Sequence, residues 1–231
     1  MPRNAKLETR WIGPPPEAAP TIVFLHEGLG CVSLWRDFPD HVAEATGCGA
    51  LVYSRRGYGK SEPLPGPWPL TFMHEEAELL PSLLAQFGIT NPILYGHSDG
   101  GSIAILYAGP VRARILEAPH VFVEPLCIES IRKVSQNARL RERLARYLQP
   151  ETFDAWCDVW LRPEFAQWNI EEALPRITEP VLVIQGTDDE YGTLKQVEAI
   201  KAAETLILPG CGHSPHSEKP NDVFDAIKRF L

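Results

Sequence analysis

Residues 92–101 read PILYGHSDGG, and this short stretch decides the fold. Pro92–Tyr95 is an apolar run of the kind that forms a buried strand, and a helical pattern begins at Gly101. Between them, Gly96–Gly100 matches the G-x-S-x-G pattern of a nucleophile elbow, a tight turn that needs glycine on either side of its serine. Such a turn holds the serine hydroxyl at a helix N-terminus, where negative charge is stabilised. We therefore predict that Ser98 is a nucleophile; the alternative is a plain strand-to-helix turn.

Apolar runs on both sides of this stretch predict an α/β fold with a mostly parallel central sheet. Strands that alternate with helices are joined by right-handed crossovers, so helices cover both faces of the sheet. The predicted strands are Lys6–Ile12, Thr21–Leu25, Ala50–Ser54, Pro92–Tyr95, Arg114–Ala118, Pro180–Gln185 and Thr205–Leu208. The predicted helices are Leu34–Ala45, Phe72–Phe87, Gly101–Ala108, Leu194–Ala202 and Asn221–Leu231.

The region 121–177 interrupts this alternation. It carries no strand signal, and its sequence is helix-like, rich in charge and punctuated by three tryptophans. A stretch of this length is too long for a plain connection in a compact domain. We predict a helical cap insertion at 121–177 in an α/β core formed by residues 1–120 and 178–231. The alternative is an ordinary helical excursion at the sheet edge.

A serine nucleophile needs a base, and the base needs an orienting group. With a nucleophile elbow the expected chain order is serine, acid, histidine. Downstream of Ser98, the adjacent acids Asp188 and Asp189 follow the sixth predicted strand, and His213 follows the seventh. Open α/β sheets place their sites beyond the carboxyl ends of the strands. The pattern therefore predicts His213 as base and leaves the acid open between Asp188 and Asp189; a helix cap and a surface histidine are the alternatives.

The loop His26–Gly30 directly follows the strand Thr21–Leu25 and reads HEGLG. A tetrahedral intermediate needs two N–H donors, one from the residue after the nucleophile and one from such a loop. We predict the backbone N–H groups of Asp99 and Gly28 as an oxyanion hole. The alternative is a loop that only turns the chain; a phosphate-binding glycine motif is absent.

Taken together, these pieces resemble the α/β-hydrolase superfamily across almost the whole chain. The matching segments are His26–Gly30 with Trp35, Arg56–Ser61, Gly96–Gly100, Gly186–Asp189 and Gly212-His213. The resemblance implies an α/β-hydrolase fold and an acid three residues after the glycine that ends its strand. That acid is Asp189, and Asp188 then braces the loop.

Two features depart from the family pattern. Glu27 stands where relatives usually carry glycine, which places a carboxylate beside the oxyanion loop. Only one strand-like segment precedes the His26 strand, where the family usually has two, so the sheet is expected to be one strand short at its edge.

The resemblance implies a serine hydrolase without cofactor or metal, and we expect a carboxylesterase acting on small esters. A C–C bond hydrolase of ring-cleavage products, a lactonase or a cofactor-free perhydrolase would use the same residues. Dehalogenases and epoxide hydrolases carry aspartate at the position of Ser98. A non-catalytic receptor of hydrolase fold is disfavoured by the intact Ser98, Asp189 and His213 set.

Five residues beside these motifs are expected to contact substrate: Glu27, Leu29, His97, His120 and Trp160. The alternative for His97 is local packing. His120 and nearby Glu124 follow the strand Arg114–Ala118 and could line the pocket; the alternative for both is a structural role. His216 follows His213 closely enough to suggest a metal with Asp188 and Asp189, but loose clusters of this kind are usually not metal sites. We therefore predict no metal.

Composition limits the partners. The chain has 231 residues, 22 Lys+Arg and 30 Asp+Glu, so its net charge of -8 disfavours nucleic acid. No apolar run is long enough to span a membrane, and MPRNAKLETRW has no apolar core of a signal peptide. Five cysteines without C-x-x-C spacing fit free thiols in the cytoplasm. We expect one large domain, a small-molecule ester as partner, and a monomer or homodimer.

Overall fold

The computed structural model describes residues 6–64, 66–200 and 204–231. In this part of the chain one sheet holds seven strands. The strands are β1 (Thr9–Ile12), β2 (Thr21–Leu25), β3 (Gly49–Tyr53), β4 (Ile93–His97), β5 (Ala113–Glu117), β6 (Val181–Gly186) and β7 (Glu204–Leu208). Their order across the sheet is β1-β3-β2-β4-β5-β6-β7. β1 runs antiparallel to β3, and every other neighbouring pair is parallel.

Nine α-helices and three 3₁₀ helices lie in the described residues. The α-helices are α1 (Phe38–Thr46), α2 (Phe72–Gln86), α3 (Asp99–Leu106), α4 (Pro125–Ser135), α5 (Ala138–Leu144), α6 (Thr152–Leu161), α7 (Leu194–Ala199), α8 (Pro215–Glu218) and α9 (Pro220–Phe230). The 3₁₀ helices are Val32–Trp35, Pro163–Gln167 and Glu171–Arg176. The predicted α/β fold with a mostly parallel sheet is confirmed.

Three predicted helices differ from the structure. The one predicted at Gly101–Ala108 is α3, which begins and ends two residues earlier. The one predicted at Leu34–Ala45 is a 3₁₀ helix and α1, separated where Arg36 adopts a positive φ of 54°. The one predicted to reach Ala202 ends at Ala199 in the described residues, and Ala202 lies outside them.

The interior strands are buried on both faces, which is why they read as continuous apolar runs. Because successive side chains of a strand point to opposite faces, β2 contributes to two cores. Ile22 and Phe24 pack with α1 and α9, while Val23 and Leu25 pack with α2 and α3. Because β2 to β7 pair in parallel, their carboxyl ends lie together at one end of the sheet.

Residues 121–177 carry α4, α5, α6 and two of the 3₁₀ helices. The beginning of the segment lies beside a later part of it, because the Ile170 N–H donates to the Val121 carbonyl at 2.8 Å. Its buried side chains belong to the same hydrophobic core as α2 and α3.

The described helices are all too short or too polar to cross a membrane. The thiols of all five cysteines are free and buried.

Candidate active site

Ser98 lies at the sharp turn between β4 and α3. Its φ of 54° is in the left-handed region that favours glycine, so the backbone is strained at this serine. A Cβ at Gly96 would lie 2.3 Å from the Gly100 carbonyl oxygen, and one at Gly100 would lie 2.0 Å from the Leu25 carbonyl oxygen. The two glycines are therefore required by close backbone approach, and the turn fixes the position of the hydroxyl.

The structure brings Ser98, His213 and Asp189 together. Ser98 Oγ lies 2.9 Å from His213 Nε2. His213 Nδ1 lies 2.9 and 2.8 Å from the two carboxylate oxygens of Asp189. Because a carboxylate accepts hydrogen bonds, this geometry places the imidazole proton on Nδ1 and leaves Nε2 to accept the Ser98 hydroxyl proton.

Asp189 is held as an anion by its surroundings. Its carboxylate accepts hydrogen bonds from Gln185 Nε2 at 2.7 Å and from the backbone N–H of Tyr191 at 2.8 Å. Burial works to raise the pKa of this carboxyl, but His213 and the Tyr191 backbone N–H hold it well below its ordinary range. The negative charge is therefore present at neutral pH and faces the His213 ring.

Asp188 points elsewhere. It is exposed, and its carboxylate accepts a hydrogen bond from the Thr187 hydroxyl at 2.8 Å. Of the two adjacent acids, Asp189 is the one that contacts His213.

Sequence reasoning missed Gln185 and Tyr191 as supports of Asp189. Gln185 is a buried polar residue near the end of an otherwise apolar strand, a signal that could have identified it. The Tyr191 ring also lies against His213, with the ring centroids 4.6 Å apart. No pattern in the sequence marked Tyr191.

A cavity of about 680 Å³ opens beside Ser98. On one side, α4, α5 and α6 contribute apolar side chains to its wall: Ile131, Leu140, Leu144, Trp156 and Trp160. Gly28 also lines it, whereas Asp99 is fully buried at the start of α3. All five residues expected to contact substrate line this cavity: Glu27, Leu29, His97, His120 and Trp160.

Glu124 does not line the cavity. Its carboxylate instead accepts hydrogen bonds from the Thr193 backbone and hydroxyl and from Gln196 Nε2, so it joins the 121–177 segment to α7. Of the two roles left open for Glu124, the contacts favour the structural one. His120 does face the cavity, and burial and nearby His213 lower its pKa to about 3, so its ring is neutral.

Glu27 is an anion in the cavity wall. Burial works to raise its pKa, but His97 lowers it to about 2. Glu27 Oε2 lies 3.7 Å from His97 Nδ1, and the side chain keeps 29% of its surface exposed. Its carboxylate lies over Gly30, where an added Cβ would be 2.3 Å from Oε2.

A buried network anchors the loop that carries His213. Glu117 accepts hydrogen bonds from the Tyr95 hydroxyl and from both the backbone N–H and Nδ1 of His216. His97 Nε2 lies 2.7 Å from the His213 carbonyl oxygen and donates to it. His97, Glu117 and His216 are metal-ligand types within reach of one another, but both Glu117 oxygens already accept hydrogen bonds. His216 therefore pairs with Glu117, and not with Asp188 and Asp189.

This network predicts a pH-dependent stability. Burial works to raise the pKa of Glu117, but His216 and His97 lower it to about 2, below the ordinary value of about 4.3. The stabilisation is complete above the ordinary pKa and is lost as pH falls through the folded pKa. We expect the difference in unfolding free energy between the wild type and Glu117→Gln to shrink by about 1.5 kcal/mol from pH 5 to pH 3.

Urea unfolding at both pH values measures this difference. His216 has the opposite pH dependence. Burial works to lower the pKa of His216, but Glu117 raises it. The contribution of His216 to stability is therefore complete below about pH 6.5 and is lost as pH rises through its folded pKa. A wild-type advantage that is the same at pH 5 and pH 3 would contradict the assigned role of Glu117.

Comparisons with known proteins agree with the fold. A model of the alpha/beta hydrolase family matches residues 22–226. The human serine hydrolase BPHL is 26% identical over 199 residues, which are 78% of this chain and 68% of that protein. A carboxylesterase structure from the thaumarchaeon Nitrososphaera gargenis superposes with a TM-score of 0.81 at 20% identity, covering 100% of this chain and 95% of that one. The structure of the meta-cleavage product hydrolase of Pseudomonas fluorescens IP01 superposes with a TM-score of 0.78 at 15% identity, covering 99% of this chain and 94% of that one. At these identities the structural likeness shows the fold alone.

Proposed function

Because the chain belongs to the alpha/beta hydrolase family, we propose that it is a serine hydrolase that cleaves small carboxylic esters. The observation that carries the proposal is the 2.9 Å approach of Ser98 Oγ to His213 Nε2, with Asp189 on the other ring nitrogen. A serine hydroxyl becomes a useful nucleophile only with such a base. The similarity to a human protein named as a serine hydrolase supports the same assignment.

The proposal gives each residue a role. Ser98 Oγ attacks the ester carbonyl carbon while His213 Nε2 accepts the hydroxyl proton, and Asp189 stabilises the imidazolium that forms. The backbone N–H groups of Gly28 and Asp99 bind the oxyanion. His213 then protonates the leaving alcohol, and the acyl group stays on Ser98. Water, deprotonated by His213, releases the acid and restores the hydroxyl.

Glu27 argues against the runner-up, a C–C bond hydrolase of ring-cleavage products. Such substrates carry a carboxylate, and the Glu27 carboxylate in the cavity wall would repel it. Arg36 is the single lysine or arginine among the described residues that line the cavity, and it is exposed. Ester hydrolysis of p-nitrophenyl acetate with no turnover of a vinylogous diketo acid would support the esterase; the reverse would support the C–C hydrolase.

We propose that residues 121–177 act as a cap over the core formed by 1–120 and 178–231. The support is that α4, α5 and α6 place apolar side chains over the cavity beside Ser98. Trp156 and Trp160 are themselves buried, so they close that side rather than lining an open channel. Because this apolar wall closes one side of the cavity, we expect short acyl chains. A cytoplasmic location and a monomeric or homodimeric state stay predictions.

The cap leads to a prediction on chain length. We expect kcat/KM for p-nitrophenyl esters to fall about 10²-fold from acetate and butyrate to laurate, because a long chain meets the closed apolar wall. A steady-state assay over the ester series measures this, with hydroxide-catalysed hydrolysis of each ester as the control. Activity should also show no jump when the substrate forms micelles. Preference for long-chain triglycerides would contradict the closed cap.

A further inference from the structure

Arg55 is a fully buried arginine that the mechanism has not used. It follows β3 by two residues, and its Nη2 donates a hydrogen bond to the Glu27 carbonyl oxygen at 2.8 Å. The same nitrogen lies 3.7 Å from Asp99 Oδ2. One guanidinium therefore contacts the two places from which the oxyanion donors come: the Glu27–Gly28 peptide and Asp99.

His26 holds the same carbonyl from a second direction. Its Nε2 accepts the Arg55 backbone N–H at 3.1 Å, so its proton is on Nδ1. Nδ1 lies 2.7 Å from the Glu27 carbonyl oxygen and donates to it. Burial and the charge of Arg55 lower the pKa of His26 to about 3, so the ring stays neutral and Nε2 stays an acceptor.

The Gly30 backbone N–H donates to the Glu27 carbonyl as well, at 3.1 Å, and these three donors fix the direction of one peptide. The described chain has no cis peptide bond, so the N–H of Gly28 points away from the Glu27 carbonyl. Because that carbonyl is turned into Arg55 and His26, the Gly28 N–H is turned to the opposite side. Gly28 lines the cavity beside Ser98, where the oxyanion would form.

Trp156 contacts the same carboxylate oxygen of Asp99 that Arg55 faces. The indole Nε1 donates to Asp99 Oδ2 at 3.0 Å. The same indole lies against Gly28, where an added Cβ would be 2.1 Å from Nε1. Arg55 and Trp156 therefore grip Asp99 together, and both also contact the opposite loop.

We propose that Arg55 is a positioning residue that aligns both halves of the oxyanion hole. The inference rests on the proposed serine hydrolase function. It acts through the Glu27 carbonyl and the Asp99 carboxylate, and Arg55 itself does not touch the substrate. Loss of the guanidinium would remove one of the three donors to the Glu27 carbonyl and the cation beside Asp99, so both oxyanion donors would be held less firmly. That would weaken binding of the transition state more than binding of the ester.

The test compares Arg55→Met and Arg55→Lys with Arg56→Met. Arg56 is the neighbouring buried arginine, and its side chain pairs with Glu76 at 3.6 Å rather than with the oxyanion loop. Arg55→Lys keeps the buried positive charge that Asp99 needs, so it is the informative variant if Arg55→Met does not fold. Circular dichroism and thermal unfolding establish the fold of each variant.

With p-nitrophenyl acetate we expect Arg55→Met to lower kcat by about 10²-fold and to change KM by less than about threefold. Arg55→Lys should recover part of the loss, about tenfold below wild type, because it restores charge without the fork of donors. Arg56→Met should keep kcat within about threefold of wild type, whatever its effect on unfolding.

Two inhibitors separate alignment of the hole from a general loss of structure. A trifluoromethyl ketone forms a tetrahedral adduct with Ser98 and needs the oxyanion donors, whereas the matching methyl ketone stays trigonal. The Arg55 substitutions should lower the affinity for the trifluoromethyl ketone by about the same factor as they lower kcat/KM. They should leave the affinity for the methyl ketone unchanged. Equal weakening of both ketones, or a folded Arg55→Lys with wild-type kcat, would overturn the role of Arg55. A wild-type protein that neither hydrolyses esters nor binds the trifluoromethyl ketone would instead overturn the proposed function.

Discussion

Ser98→Ala is expected to lower kcat for p-nitrophenyl acetate by about 10⁶-fold, because alanine removes the atom that forms the acyl-enzyme. The fold should survive, since the turn depends on the flanking glycines and alanine adds no atoms. A residual acceleration over water of about 10³-fold should remain from the oxyanion hole and from substrate binding.

Stopped assays at high enzyme concentration measure the residual rate, and thermal unfolding checks that the variant is folded. Chromatography on a fresh column guards against traces of wild-type enzyme, which at this sensitivity would dominate the signal. A folded Ser98→Ala that keeps more than about one hundredth of wild-type kcat would exclude Ser98 as the nucleophile.

Asp189→Asn is expected to lower kcat by about 10⁴-fold, because an amide in place of the carboxylate stabilises the wrong imidazole tautomer. The neighbouring Asp188→Asn is the matched control. Its carboxylate is exposed and bonds only the Thr187 hydroxyl among the described contacts, so it should cost about tenfold or less. The measurement is kcat for both variants at the same pH, beside their thermal unfolding.

The effects of substituting Ser98 and Asp189 should not be additive. In a Ser98→Ala background, Asp189→Asn should lose little more activity, because these residues work as a unit. If Asp188→Asn abolishes turnover while Asp189→Asn keeps it, the acid is assigned to the wrong one of the two aspartates.

The interior of the sheet could be predicted from the sequence because its strands are buried on both faces. β2 was predicted at Thr21–Leu25 and lies there. The edge was harder. β1 begins at Thr9 rather than Lys6, because a partly exposed edge strand has no apolar run to mark its start. Seven strands in the described residues, with one before β2, agree with the shortened sheet edge that the sequence predicted.

The residues around Ser98 were predictable for a topological reason. Ser98, Asp189 and His213 each follow the carboxyl end of a parallel strand, and parallel strands bring those ends together. The supports of the site were not predictable in this way. Arg55 meets residues 26, 27 and 99 through packing of elements distant in sequence, and no periodicity or spacing marks such a contact. Glu124 also follows a strand, but its side chain bonds Thr193 and Gln196 instead of lining the cavity. A position after a strand therefore does not by itself predict where a side chain points.

Labelling with a fluorophosphonate probe tests the central claim, that Ser98 is an activated nucleophile, most directly. We expect one adduct per chain in the intact mass of the wild type, mapped by peptide sequencing to Ser98, and no adduct on Ser98→Ala. An adduct on another residue, equal labelling of Ser98→Ala, or no labelling of the wild type would contradict the claim.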